Sequence, residues 1–322
     1  MWWQPIRTGP VIALLVFVSR VMVAGQPTAE VPMHCQLICG SPGDPTSEGL
    51  QAVVGDCARN GSGGQQYCGL WSLTSKQRQF NCFGNSYAGL LPGELRGRTT
   101  TRLQAVDDRT AVLYKPATDQ DPTEAKATYR FVGPTCLEHT LVIKDVRSRI
   151  SSLGYREVSW CSYMNCPEDP RLHFLSGGQM TAYLSPEHGV GSRIAPSYVP
   201  KEQLEKLPPQ DEKRQPFHVN WAPVKFDQPF YYGRLGQMVL LYVFDNPRDL
   251  RFFCSPTGGG GSLLPGQSCP AWDFLWIIPA DKYQPGREFT FRLRLIYKPF
   301  VSDEDVLAEV RRAQAAMGGE SH

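Results

Sequence analysis

Several things are scarce in this 322-residue chain, and each scarcity removes a class of function. Beyond the first 25 residues, no apolar run approaches the ~20 residues that a membrane-spanning helix needs. Charge of either sign is not in excess. The formal charge of +2 falls to zero once Arg7 and Arg20 in the leader are set aside, and there is no acidic or basic tail. A neutral chain lacks the basic field that phosphate neutralisation requires, so no nucleic-acid partner is expected. No Cys-x-x-Cys pair occurs, Cys35-x-x-x-Cys39 being the nearest approach to a zinc or redox motif. No Gly-x-Ser-x-Gly elbow, His-Glu-x-x-His or Gly-x-Gly-x-x-Gly is present, which removes the usual hydrolase, zincin and dinucleotide readings. The Gly258 to Gly261 run is followed by no Lys-Ser/Thr and opens no helix, so it reads as a turn or rim loop, not a phosphate cradle. No cofactor and no metal are expected.

What is present begins with a leader. Arg7, the apolar stretch Val11 to Val18, and Val23-Ala24-Gly25 before Gln26 predict a signal peptide over residues 1–25. Arg20 leaves an uncleaved anchor as the alternative. Ten cysteines follow, an even number behind an export signal, which reads as disulfides in a secreted, periplasmic or extracellular protein. The best single pairing is Cys254 with Cys269, across a glycine-rich loop that needs pinning. Five of the ten fall between residues 26 and 97, where apolar runs are short, so this Cys-rich region is expected to rest on cross-links more than on a core. Asn60-Gly61-Ser62 fits the N-glycosylation pattern in a eukaryotic host and is a turn in any other.

From residue 98 to 301 the pattern is that of a mainly β, antiparallel β-sandwich domain. Met238 to Phe244 is almost continuously apolar, as in a strand buried on both faces. Phe289, Phe291, Leu293, Leu295 and Tyr297 alternate with polar residues, a period of two broken only at Ile296, which predicts one buried and one solvated face. Residues 199–215 read as one or two helical turns and a solvated connector. Ser302 followed by Asp303, Glu304 and Asp305 starts a short C-terminal helix over 302–317, with Val306, Leu307 and Val310 on its apolar face. His139 sits alone in a strand and is expected to be a satisfied core or surface residue.

The segments WCSYMNCPEDPRLHFL, SPEHGVGSRIAPSY, FYYGRLGQMVLLYVFD, RFFCSPTGGG, CPAWDFLWIIP and LIYKPFVSDEDVLAEVR together resemble a group of bacterial proteins predicted to be secreted β-sandwiches. The likeness spans about residues 129–314. It implies export and a β fold, and it carries no activity.

Two constellations could hold chemistry. Glu168 and His173 flank one loop, and Glu187 and His188 occupy another; acid–base work on a sugar needs two such groups of different pKa about one ring. His173, His188 and a carboxylate could equally take a divalent metal, and the same residues also read as an Asp-Pro turn, a salt bridge to Arg171 and a packed strand histidine. If they act together, the two loops should line one concave pocket. Tyr163, Asn165, Arg193, Tyr232, Arg234, Trp272 and Asp273 supply the aromatic and polar mixture that binds sugars, although most Trp and Tyr of a β core are structural. The leading expectation is a secreted carbohydrate-binding or carbohydrate-processing protein whose partner is a carbohydrate or cell-surface polysaccharide. The alternative is a non-catalytic structural or adhesion module that binds another protein.

Overall fold

The computed structural model describes residues 34–43, 49–56, 67–84, 89–96, 100–204, 220–257 and 268–318. The leader, Cys57, Asn60-Gly61-Ser62, residues 205–215 of the connector and the Gly258 to Gly261 run lie outside the described residues. The described residues belong to one compact unit.

Strands β1 (Cys35–Cys39), β2 (Gln51–Gly55) and β3 (Gly69–Thr74) make a small antiparallel sheet. The strands that follow are β4 (Leu91–Pro92), β5 (Arg102–Asp107), β6 (Thr110–Lys115), β7 (Thr123–Gly133), β8 (Cys136–Asp145), β9 (Tyr155–Cys161), β10 (Asp169–Ser176), β11 (Gln179–Tyr183) and β12 (Arg193–Pro196). After them come β13 (Trp221–Phe226), β14 (Phe230–Leu235), β15 (Met238–Phe244), β16 (Leu250–Ser255), β17 (Ala271–Pro279), β18 (Glu288–Pro299) and the helix α1 (Asp303–Gly318). They form a nine-stranded sheet in the order β11-β10-β14-β15-β18-β8-β7-β6-β5 and a six-stranded sheet in the order β13-β12-β16-β17-β9-β4. Pairing is antiparallel throughout except between β12 and β13.

The two large sheets face each other across an aromatic core. Phe244 of β15 meets Phe274 of β17 edge-on at 4.8 Å, and Trp276 of β17 lies 5.2 Å from Phe291 of β18. Alternation along β17 turns Trp272, Phe274 and Trp276 inward and Asp273, Leu275 and Ile277 outward. Gly233 of β14 must stay a glycine because a Cβ there would overlap the Trp272 ring. The Cys-rich region shares this core: Ile38, Val54 and Leu70 join the same buried cluster, and Tyr129 donates a hydrogen bond to the Leu90 carbonyl at 3.1 Å. His139 is enclosed with them. The Trp160 indole can only donate, so His139 Nε2 accepts from it (3.0 Å) and Nδ1–H donates to the Thr128 carbonyl (3.2 Å).

Helix α1 covers the outer face of the nine-stranded sheet. Ser302 caps it, its hydroxyl accepting from the Asp305 N–H at 3.2 Å, and Val306, Val310, Ala313 and Met317 form the buried stripe. Their counterparts on the sheet are Val239, Leu241, Val243 and Ile296. The solvated face expected of β18 is therefore corrected: at Ile296 that face lies under α1, and Arg294 beside it is buried in an ion pair with Glu138 at 2.8 Å.

The Cys254–Cys269 pairing is also corrected. No disulfide joins two described cysteines. Cys254 lies on the inner face of β16, in register with Trp272, and its sulfur is committed to the core. Cys269 precedes β17, and its sulfur approaches that of Cys166 instead, at 3.8 Å.

Candidate functional site

The outer face of the six-stranded sheet carries a row of side chains that strand register assembles. Arg193 of β12 pairs with Phe253 of β16, and Phe253 pairs with Asp273 of β17. The register that sets Phe274 opposite Trp160 on the inner face brings Cys161 of β9 next to Asp273 on the outer one, with Ser159 and Glu157 opposite Leu275 and Ile277. Arg96, Tyr163 and His188 stand around this row, and together they enclose a pocket of about 380 Å³. That volume suits a small organic ligand.

Each charged group has a built setting. Arg193 is 1% exposed, lies 3.7 Å from the Glu157 carboxylate and stacks on Trp221 with its guanidinium 5.0 Å from the ring centre. Arg96 stacks on Tyr67 and donates to its hydroxyl at 3.2 Å. His188 shares a 2.8 Å hydrogen bond with the Ser255 hydroxyl. Asp273 accepts the Ser162 backbone N–H at 2.7 Å, and the Ser162 hydroxyl in turn meets Tyr242 at 2.6 Å, which ties the floor of the pocket to the core. Burial pushes the Asp273 carboxyl up to about 8, against the smaller opposing effects of that N–H and of Arg96. Burial, with Asp273 nearby, also raises the Tyr163 phenol and pushes the Cys161 thiol up to about 12. Burial thus favours the neutral form of Asp273 in the pocket, while Glu157 pairs with Arg193.

The residues expected from the sequence are divided by the fold. Tyr163, His188, Arg193 and Asp273 line this pocket. Glu168 and Glu187 are exposed outside it, and the Glu187 carbonyl closes a turn by accepting from Ser185 Oγ and the Val190 N–H. His173 is on the other sheet, facing α1. It stacks on Tyr232 at 4.8 Å and shares a 3.1 Å hydrogen bond with Asp169. Burial lowers the His173 imidazole. Burial alone would raise Asp169, but the Arg171 guanidinium and N–H outweigh it and hold that carboxyl at about 2. The Tyr232 hydroxyl donates to Asp303 at the start of α1, and Arg234 lies 3.7 Å over Phe300, so both serve the helix interface. Asn165 donates to the Asn81 carbonyl at 3.0 Å, and Trp272 is fully buried with its indole N–H on the Pro170 carbonyl at 2.9 Å. The expectation that the Glu168–His173 and Glu187–His188 loops share one pocket is thus overturned. The reason is strand alternation, which sends His173 to the helix side while His188 hangs over the opposite sheet. Among the described residues no three His, Cys, Asp or Glu side chains cluster as metal ligands.

Glu157, Arg96 and Phe253 were not anticipated. A polar residue at an outward position inside an otherwise apolar strand is the signal that marks Asp273; in β9, where Arg156 and Ser159 are polar too, it does not single out Glu157.

No protein-family model and no curated protein matches this chain. Among solved structures it is similar to the GalM/aldose epimerase homologue from C. elegans, with 9% identity over 83% of this chain and 100% of that one and a TM-score of 0.45. The heparan sulfate lyase HepC from Pedobacter heparinus shares 8% identity over 79% of this chain and 34% of that one, with a TM-score of 0.45. The galactose 1-epimerase from Lactobacillus acidophilus NCFM shares 8% identity over 83% of this chain and 99% of that one, with a TM-score of 0.40. These are distant likenesses of β architecture, and they assign no residue a role.

Proposed function

We propose that the protein is exported and takes a sugar unit into the pocket on its six-stranded sheet, with Asp273 as proton donor and Glu157 as proton acceptor. The observation that supports this most is a pair of carboxyl groups in contrasting settings within one pocket of about 380 Å³, Asp273 desolvated and Glu157 beside the Arg193 guanidinium. Environments that drive two such groups apart are what acid–base work at neutral pH needs. Guanidinium, imidazole, phenol and hydroxyl groups from Arg96, Arg193, His188, Tyr163 and Ser159 add the polar contacts that a polyhydroxylated ring can use, and Phe253 offers it an apolar face.

The test is a thermal-shift screen of the purified protein against neutral and acidic saccharides, followed by NMR of any stabilising sugar to detect turnover. A stabilising sugar should lose its effect in Glu157→Gln, and turnover should fall by ~10²–10⁴-fold in Asp273→Asn. Absence of any shift, or a shift that both variants keep, would remove the pocket from consideration. The second reading, a module that binds another protein, draws on the exposure of Glu168 and Glu187 outside the pocket; capture of a protein partner that is lost on substituting those two residues would favour it. No helix among the described residues is long and apolar enough to cross a membrane. Export is checked separately by N-terminal sequencing of the secreted protein, expected to begin at Gln26.

A further inference from the structure

Residues 163–166 and 269–271 run antiparallel and close together. Tyr163 bridges Ala271, and the Met164 N–H donates to the Pro270 carbonyl at 2.9 Å. This brings Cys166 level with Cys269, with their sulfurs 3.8 Å apart. Both ends are held by the surrounding chain. Cys166 has a left-handed backbone with φ of 43°, and its N–H donates to the Met164 carbonyl at 3.1 Å. The preceding Asn165 N–H donates to the Cys82 carbonyl at 2.9 Å. On the other side, a Cβ placed on Gly84 would lie 3.0 Å from the Cys269 sulfur, so a third segment packs against the pair.

We propose that Cys166 and Cys269 form a disulfide in the mature protein. The present separation is van der Waals contact between two thiols, and the bond requires closing it to ~2.05 Å. The two S–H bonds are lost and one S–S bond forms. The two electrons and the two protons pass to a small-molecule disulfide such as glutathione disulfide, whose S–S bond breaks to give two thiols. The bond covalently fixes the Tyr163 side of the pocket to the chain two residues ahead of β17, the strand that carries Trp272 and Asp273. It stands on chain geometry alone and is independent of what the pocket binds.

The experiment is peptide mapping of the full chain after incubation with glutathione disulfide, with free thiols alkylated and no reductant present. A linked pair of peptides carrying Cys166 and Cys269 is expected, with Cys254 alkylated once the protein is denatured. In Cys166→Ser the linked pair disappears and Cys269 becomes alkylated. Reduction should lower the Tm of the unsubstituted protein by about 5 °C or more, and should produce a smaller drop in Cys166→Ser. Alkylation of both Cys166 and Cys269 after oxidation, or linkage of Cys269 to Cys254, overturns the assignment. If the variant fails to fold, the map of the unsubstituted protein decides by itself.

Discussion

Asp273 is the residue on which the chemistry proposed for the pocket depends. Its carboxyl is desolvated on the outer face of β17, fixed by the Ser162 N–H, and pushed up to about 8. If it donates a proton, activity on any sugar identified by the screen should fall as pH rises through about 8. Asp273→Asn preserves shape and the Ser162 contact but has no proton to give, so turnover should drop by ~10²–10⁴-fold while sugar binding survives. Initial rates from pH 5 to 9 for both proteins check this, and an unchanged profile in the variant would exclude Asp273 as the acid. A second residue-scale prediction concerns Gly233, over which the Trp272 ring lies. Gly233→Ala forces that ring or the strand to shift and should cost about 1–3 kcal/mol in urea unfolding, the usual range for overpacking a core.

At the scale of single elements, the strand core was legible and its exceptions were informative. Met238 to Phe244 reads as doubly buried, and it is: Leu240, Tyr242 and Phe244 face the opposing sheet while Val239, Leu241 and Val243 face α1. The break in alternation at Ile296 marks the footprint of the same helix. A periodicity count alone could not show this, because the covering element follows in sequence and its docking depends on tertiary packing. The helix itself was legible from Ser302, the carboxylates of its first turn and the Val306–Val310 spacing. Ser302→Ala should cost about 1 kcal/mol of stability, with Ser302→Asp close to unchanged. Val310→Ala, which empties a fully buried position against β15, should cost about 2 kcal/mol. Chemical denaturation of the three variants checks both, and equal stability of Val310→Ala would mean that α1 is not docked in solution.

For the molecule as a whole, the site was harder to read than the fold because its side chains come from strands distant in sequence. Clusters such as Glu168–His173 and Glu187–His188 attract attention by adjacency along the chain, whereas Arg193, Phe253 and Asp273 become neighbours only through register across β12, β16 and β17. The disulfide pairing failed for a related reason, since the inward direction of Cys254 is set by its strand and not by the loop that follows. Two buried groups in different parts of the sandwich also give it a specific pH response. His139 is held neutral in the core, its imidazole pushed down to about 3 by burial. It contributes stability that is complete above the unfolded value of ~6.5 and is lost as pH falls toward 3. Asp273 acts with the opposite sign: its folded value is raised, so its contribution is complete below ~4 and is lost as pH rises toward about 8. Between about 4 and 6.5 the two slopes oppose each other. Above 6.5 only the Asp273 slope remains of the two. Below 4 the His139 slope continues, joined by that of Asp169, which is held at about 2. Urea unfolding at half-unit steps from pH 3.5 to 8.5 should therefore give a broad maximum in mildly acid solution with a decline on each side. Asp273→Asn should flatten the alkaline decline and leave the acid one, whereas His139→Gln should flatten the acid decline and leave the alkaline one. If either substitution lowers stability equally at every pH, the group it removes is structural but does not set the pH response.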